Sequence, residues 1–448
     1  MTKRVYTAEW VLPVSSPPIR DGVVAIEDDR IIFVGERVEA ESREELLGVE
    51  CVSLGQAALL PGLVNTHCHL ELSLMRGFLE DLPFREWILK LGRTRYDKLT
   101  EEDIRASALL SALESIRAGI TTVADTADSS TSFDAMQASG LRGIVYREVF
   151  GPDPSIARPN FEVFKSNVEE MRGQANALVR VGVSPHTPYT VSGDLFQLVA
   201  DYARKESLDI CIHAAESEAE KQLLTKGEGE FADGLRARGI DWQAPGVSTI
   251  KYFDSLGLLE SAPLLVHCVR VDEADIELIA GRGARIAHCP KSNAKLGHGV
   301  APLKKMFEAN IVAGLGTDSV ASNNRLDMID EARFCALLHR AVECDFSAPS
   351  AERMIRMATI DGARTLGLEK EIGSLETGKQ ADIIAVNLSH IHITPTHDVE
   401  ATIVFSASAH DVILTMVAGR AIYDGRDVET LDETDILARV NEVVERMR

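Results

Sequence analysis

Two histidines one residue apart, His67 and His69, end the apolar run LLPGLVNTH and open a series of metal-ligating side chains. On a strand, period-two alternation puts both imidazoles on one face and turns Cys68 to the other. A lone buried histidine is more often structural than ligating. A His-x-His pair followed by further strand-end histidines reverses that balance and points to a metal. His213 and Asp318 end two later apolar runs and bring the set to three imidazoles and one carboxylate. Such a set suits one Zn2+, with Fe2+ as the rival, and leaves a coordination position for water. Asp318 lies in GLGTDS, where a turn or helix-capping role is the alternative. The run VRVGVSPH has no lysine of the kind that bridges two ions in related barrels, which favours a single metal.

Glu216 follows His213 by three residues, so its carboxyl group can reach over the metal and shuttle protons; the alternative is a solvated loop glutamate beside Glu218 and Glu220. A pKa raised toward the working pH would suit that task. His267 ends another run at the same rim, as a fifth ligand or, preferably, as the group that orients the attacking water. Glu148 in YREVFG, His186 in SPHTPYT, His288 in HCPKSN and Ser322 in DSVASNN also fall at strand ends. They are candidate substrate contacts, with structural roles as the alternative. The seven cysteines read as small apolar packing residues. His298, His339, His390, His392, His397 and His410 fall outside the rim and receive no role.

These residues need elements to hold them. Eight apolar runs alternate with helical stretches: LLPGLVNTH, ITTVADT, LRGIVYREVF, VRVGVSPH, LDICIHAAE, APLLVHCV, ARIAHCP and IVAGLGTDS. The clearest helices are TEEDIRASALLSALESIRAG and GDLFQLVADYARKE. Alternation of this kind argues for a parallel sheet. Eight strands with their chemistry at the C-terminal ends argue for a (β/α)8 TIM barrel. A doubly wound sheet is second, because no G-x-G-x-x-G turn follows the first strand. Short strands fill residues 1–60 and return after residue 368, in GSLETGKQADIIAVN and DVILTMVAGRAIYDGR. The expected organisation is an α/β chain. Its barrel spans 61–368 and carries a small β-sandwich domain formed by both termini, from 1–60 and from 369–448 with a C-terminal helix.

The net charge of −22 leaves no basic stripe for nucleic acid. A small-molecule substrate is expected instead. No run of about 18 apolar residues is present to cross a membrane, MTKRVYTAEWVLP lacks the apolar core of a signal peptide, and free cysteines fit a cytoplasmic home. The deaminases that edit nucleic acids use P-C-x-x-C, which is absent. A scaffold that had lost its chemistry would lack ligands, and none is missing.

The segments PGLVNTHCHLELS, SPHTPYTVS, IHAAES, LVHC, HCPKSNAKLG, GLGTDSVASNN and GSLETGKQADIIAVN occur in the order typical of the amidohydrolase superfamily, and the chain resembles its cytosine-deaminase-like branch over almost its whole length. The resemblance implies metal ligands at His67, His69, His213 and Asp318, and proton transfer by Glu216 and His267 with Asp318. It also implies ring contacts from Ser322 and His288, sugar contacts from His186 and Glu148, and a homo-oligomeric, often dimeric, state. Within the branch, MRGFLEDLPFREWI and KLGHGVAP are similar to the methylthioadenosine/S-adenosylhomocysteine deaminases. HLELSLMRG, SGLRGIVYREVFG, AESEAEKQLLTKGEGEF and Trp242 to Ser248 are similar to aminodeoxyfutalosine deaminase of the alternative menaquinone route, the favoured reading. The expected reaction is hydrolytic deamination of a 6-aminopurine nucleoside-type substrate to the 6-oxo product. A chlorohydrolase or cyclic amidase on the same metal site is the rival.

Overall fold

The computed structural model describes residues 2–447. Five strands precede the barrel: β1 (Lys3–Val11), β2 (Ile19–Glu27), β3 (Arg30–Glu36), β4 (Glu50–Ser53) and β5 (Ala57–Pro61). The barrel strands are β6 (Leu63–Cys68), β7 (Ile120–Ala127), β8 (Arg142–Val149), β9 (Val179–Pro185), β10 (Cys211–Ala214), β11 (Leu264–His267), β12 (Arg285–His288) and β13 (Ala313–Leu315). Three more follow: β14 (Ile383–Asn387), β15 (Val412–Val417) and β16 (Arg420–Tyr423).

Strands β6 to β9 and β10 to β13 form two parallel four-stranded arcs. They close on each other through parallel bridges between Val183 and Ile210 and between Cys68 and Asp318. Period-two alternation sorts the side chains, interrupted in β6 by a register irregularity between Asn65 and Cys68 that puts Val64 and Cys68 on opposite faces. Val64, Ala124, Ile144, Tyr146, Cys211, Leu264, Val266 and Ala287 fill the barrel interior. Cys68, Val123, Val145, Ile212 and Leu265 pack outward in the cluster that includes the surrounding helices. One close approach matters for the site. A Cβ on Gly316 would sit 3.0 Å from both His67 Cβ and Cys289 Sγ, so glycine lets the end of β13 lie against β6.

The terminal strands assemble in the order β16-β15-β14-β5-β1-β2-β3, with β4 on β1. Here too alternation divides the faces. Leu59, Ile383 and Leu414 join Tyr6, Val24 and Ile31 in the core of the small domain, while Ala58, Leu60, Ile384 and Val386 face the barrel cluster. A buried ion pair ties the two parts together. Arg142, on β8, donates to Asp382 through Nε at 2.7 Å and Nη2 at 3.0 Å. The C-terminal helix Glu433–Met447 pairs with the helix Glu101–Arg117 through Arg117–Glu433 and Arg446–Asp103. Among the described residues, no helix is long and apolar enough to cross a membrane.

Candidate metal and catalytic site

Where β6 ends, His67, His69 and His213 converge, with one donor atom from each lying within 4.8 Å of the others. The ring centroids of His67 are 4.9 Å from His69 and 4.8 Å from His213. Asp318 Oδ1 lies 3.7 Å from His67 Nε2 and 3.6 Å from His69 Nε2. Backbone pairing brings it there, since Asp318 N–H donates to the His67 carbonyl at 2.9 Å. His69 Nδ1–H donates to the Thr126 carbonyl at 2.9 Å, which leaves the lone pair on Nε2, 3.3 Å from the Thr126 hydroxyl. Burial, and then the neighbouring His67, lowers the His69 pKa to about 4. Burial dominates the downward shifts of His67 and His213 as well. These are neutral imidazoles. Both ring nitrogens of His67 and Nδ1 of His213 are buried without a hydrogen-bond partner. Orphaned lone pairs beside a carboxylate are what a divalent metal would satisfy, so the residues fit such an ion.

Asp318 is held hard. Its φ is +55°, a left-handed conformation that a non-glycine residue adopts at a cost. Ser319 N–H donates to Oδ1 at 2.6 Å. The hydroxyls of Ser292 and Ser322 both donate to Oδ2, Ser322 at 3.0 Å. Burial acts to raise the Asp318 carboxyl, but the facing His67, His267 and His69 outweigh it and hold the pKa well below the ordinary range.

Glu216 is buried just past β10, with Oε1 3.6 Å from His267 Nε2 and 3.3 Å from His298 Nε2. His267, at φ +73°, donates Nδ1–H to Asn293 Oδ1 at 2.9 Å, which turns Nε2 toward the site. Burial acts to raise the Glu216 pKa, yet His267 and His298 prevail and the net shift is downward. The expectation of a raised value is thereby corrected: two imidazoles face one carboxylate oxygen.

A cavity opens from this cluster. Its walls include His69, His186, His213, Glu216, His267, Asp318, Glu148, Phe150 and Tyr189. The helix Phe84–Asp97 roofs it with Phe84, Trp87, Ile88, Leu91, Gly92, Arg95 and Tyr96. Glu148 and His186 are neighbours, with Oε1 and Nε2 3.9 Å apart. Burial, then Asp128 and Glu71, pushes Glu148 well above the carboxylate range. Burial, then His69, takes His186 down to about 3. At the far end Arg95 spans Glu71 at 3.2 Å and Asp128 at 3.1 Å.

The structure thus gathers His67, His69, Glu148, His186, His213, Glu216, His267 and Asp318 around one space. It places two expected substrate contacts elsewhere. Ser322 is fully buried behind Asp318 because the short turn Val320–Asn323 aims its hydroxyl back at Oδ2. His288 does not line the cavity; its Nε2 lies 3.1 Å from His339 Nε2. From the sequence, His298 falls outside the rim with no role, and Thr126, Asn293 and the roof helix receive no role in the site. His298 is the instructive case. It follows β12 by ten residues, too far to count as a strand end, and only the fold returns it to Glu216.

The amidohydrolase sequence family matches residues 58–422. The chain belongs to the amidohydrolase family. Among its relatives, a 5-methylthioadenosine/S-adenosylhomocysteine deaminase of Moorella thermoacetica is 36% identical over 431 residues, 96% of each chain. A solved adenosine deaminase from Xanthomonas campestris with bound Zn is 29% identical, with a TM-score of 0.88, and covers 100% of this chain and 99% of its own. The Helicobacter pylori aminofutalosine deaminase shares the fold at a TM-score of 0.81 and 18% identity, over 94% of this amidohydrolase and all of that chain.

Proposed function

We propose that this amidohydrolase is a metal-dependent hydrolytic deaminase of an adenosine-type nucleoside. His67, His69, His213 and Asp318 would hold one divalent ion, zinc by preference. The convergence of three neutral imidazoles, those of His67 and His213 with unpartnered ring nitrogens, on a clamped aspartate, beside a buried glutamate, carries this reading. The bound ion supplies Lewis acidity that makes water a nucleophile near neutral pH. Glu216, ionised at rest, would take one proton from the attacking water and deliver it to the ring nitrogen next to the amine-bearing carbon. Asp318 and His267 would take the second proton, from the hydroxyl of the tetrahedral adduct as its carbonyl forms. That proton passes to the exocyclic amine, and ammonia leaves. Walls of Phe84, Trp87, Ile88, Leu91 and Phe150 suit an apolar side group on the sugar and keep bulk water out.

The identity to methylthioadenosine/S-adenosylhomocysteine deaminases over nearly full length favours a 5′-thioether nucleoside. Aminodeoxyfutalosine is the second reading, supported by HLELSLMRG and by the segment from Trp242 to Ser248. Glu216→Gln tests the proton-transfer assignment. Metal content should stay at the wild-type level while kcat falls by about 10²–10⁴-fold. Wild-type turnover in this variant would overturn the role of Glu216.

A further inference from the structure

Glu216 has a neighbour that the proposed reaction leaves without a task. The His298 ring is buried, with side-chain exposure of 5%, and its Nε2 faces Glu216 Oε1 at 3.3 Å. That nitrogen is buried and makes no hydrogen bond as placed, so the carboxylate oxygen it faces at 3.3 Å is the acceptor at hand. The ring stands edge-on to Phe84, with centroids 4.4 Å apart, at the start of the helix that roofs the cavity. Gly297 at φ +71° and Gly299 at φ +104° flank it, and these backbone conformations turn the chain so that the imidazole points inward. Asn293 connects the two imidazoles on Glu216. Its side-chain oxygen accepts from His267 Nδ1 at 2.9 Å, and its backbone carbonyl accepts from His298 N–H at 2.9 Å. The Glu216 backbone is pinned as well, since its N–H donates to Glu220 Oε2 at 3.0 Å and that of Ala215 to Glu220 Oε1 at 2.8 Å.

We infer that His298 is a positioning residue for Glu216, donating from Nε2 to Oε1 so that the other carboxylate oxygen is presented to the substrate ring. The inference rests on the reading of Glu216 as the proton carrier. An ionised carboxylate only accepts hydrogen bonds, so His298 presents N–H at Nε2. Without that donor the carboxylate can swing about its side-chain torsions, and a displacement of about 1 Å costs on the order of 10²-fold in rate.

Three variants separate this from simple packing. His298→Phe keeps a ring against Phe84 and removes the donor. His298→Gln restores an N–H at similar reach, and His298→Ala removes both. Steady-state kinetics would use the nucleoside that wild-type protein turns over fastest, with metal content and Tm measured on each variant. The expected result is a kcat loss of about 10²-fold in the Phe and Ala variants, with KM within about threefold of wild type. His298→Gln should recover at least about tenfold of that loss, and His298→Phe should match wild type in metal content and Tm. Wild-type kcat in His298→Phe, a loss confined to KM, or no recovery in His298→Gln would overturn the proposal. Glu216→Gln is run alongside. If it is fully active, the Glu216 reading falls and takes this proposal with it. If it is inactive while His298→Phe matches wild type, only the role of His298 falls.

Discussion

Removing both hydroxyls from Asp318, in Ser292→Ala/Ser322→Ala, should weaken metal binding while the imidazoles remain. Both hydroxyls donate to Oδ2 and thereby leave Oδ1 facing His67 and His69 at 3.7 and 3.6 Å. A hydrogen bond to a charged group contributes about 1.5–3 kcal/mol. That range agrees with the loss of about 10–100-fold seen when a partner of a metal ligand is removed. Asp318 also sits at φ +55°, a conformation that costs about 1–3 kcal/mol and persists only when its surroundings fix it. Each single variant should therefore lose about 10–100-fold in affinity. The double variant should lose less than the product, because the two hydroxyls share one acceptor. Chelator competition with metal analysis reads this directly. A substrate-contact role for Ser322 predicts the opposite pattern, a raised KM at full metal occupancy. Unchanged metal affinity in the double variant would refute the clamp.

Asp382→Ala should destabilise the protein by about 3–5 kcal/mol, because it strands the Arg142 guanidinium in the interior. Denaturant unfolding should show that Arg142→Met/Asp382→Leu recovers part of that loss; a double variant worse than the sum of the singles would contradict it. Glu331 accepts from Lys291 N–H and Asn323 Nδ2, and burial lifts its pKa to about 8. A carboxyl raised above its unfolded value binds its proton more tightly in the native state, so its contribution to stability is present below about pH 4.5 and is lost as pH rises to about 8. The stability of Glu331→Gln relative to wild type should accordingly increase across that window, and a difference independent of pH would contradict the shift. His213→Ala should abolish stoichiometric metal binding, measured on the purified protein; full occupancy would remove His213 from the ligand set.

The barrel was legible because both of its signals are local. Each of the eight apolar runs is short, and each carries a polar residue at or near a strand terminus. Those runs coincide with β6 to β13. The His-x-His pair was legible for the same reason, since period-two geometry needs no partner to interpret. What escaped reading depends on tertiary placement. Ser322 and His288 stand near the right strand ends, but the turn at Val320–Asn323 and the ring of His339 decide where they point. Thr126 acts through its carbonyl, which any residue type possesses. His298 and the roof helix reach the site from loops whose path no periodicity records.

The central claim is tested most directly by ammonia release from metal-loaded protein. Methylthioadenosine, S-adenosylhomocysteine and aminodeoxyfutalosine would be offered in parallel, with atrazine as a halide-releasing control. The account predicts rapid ammonia release from one nucleoside, at a kcat/KM well above the others, and no chloride from atrazine. Full metal occupancy with no ammonia from any nucleoside would contradict it.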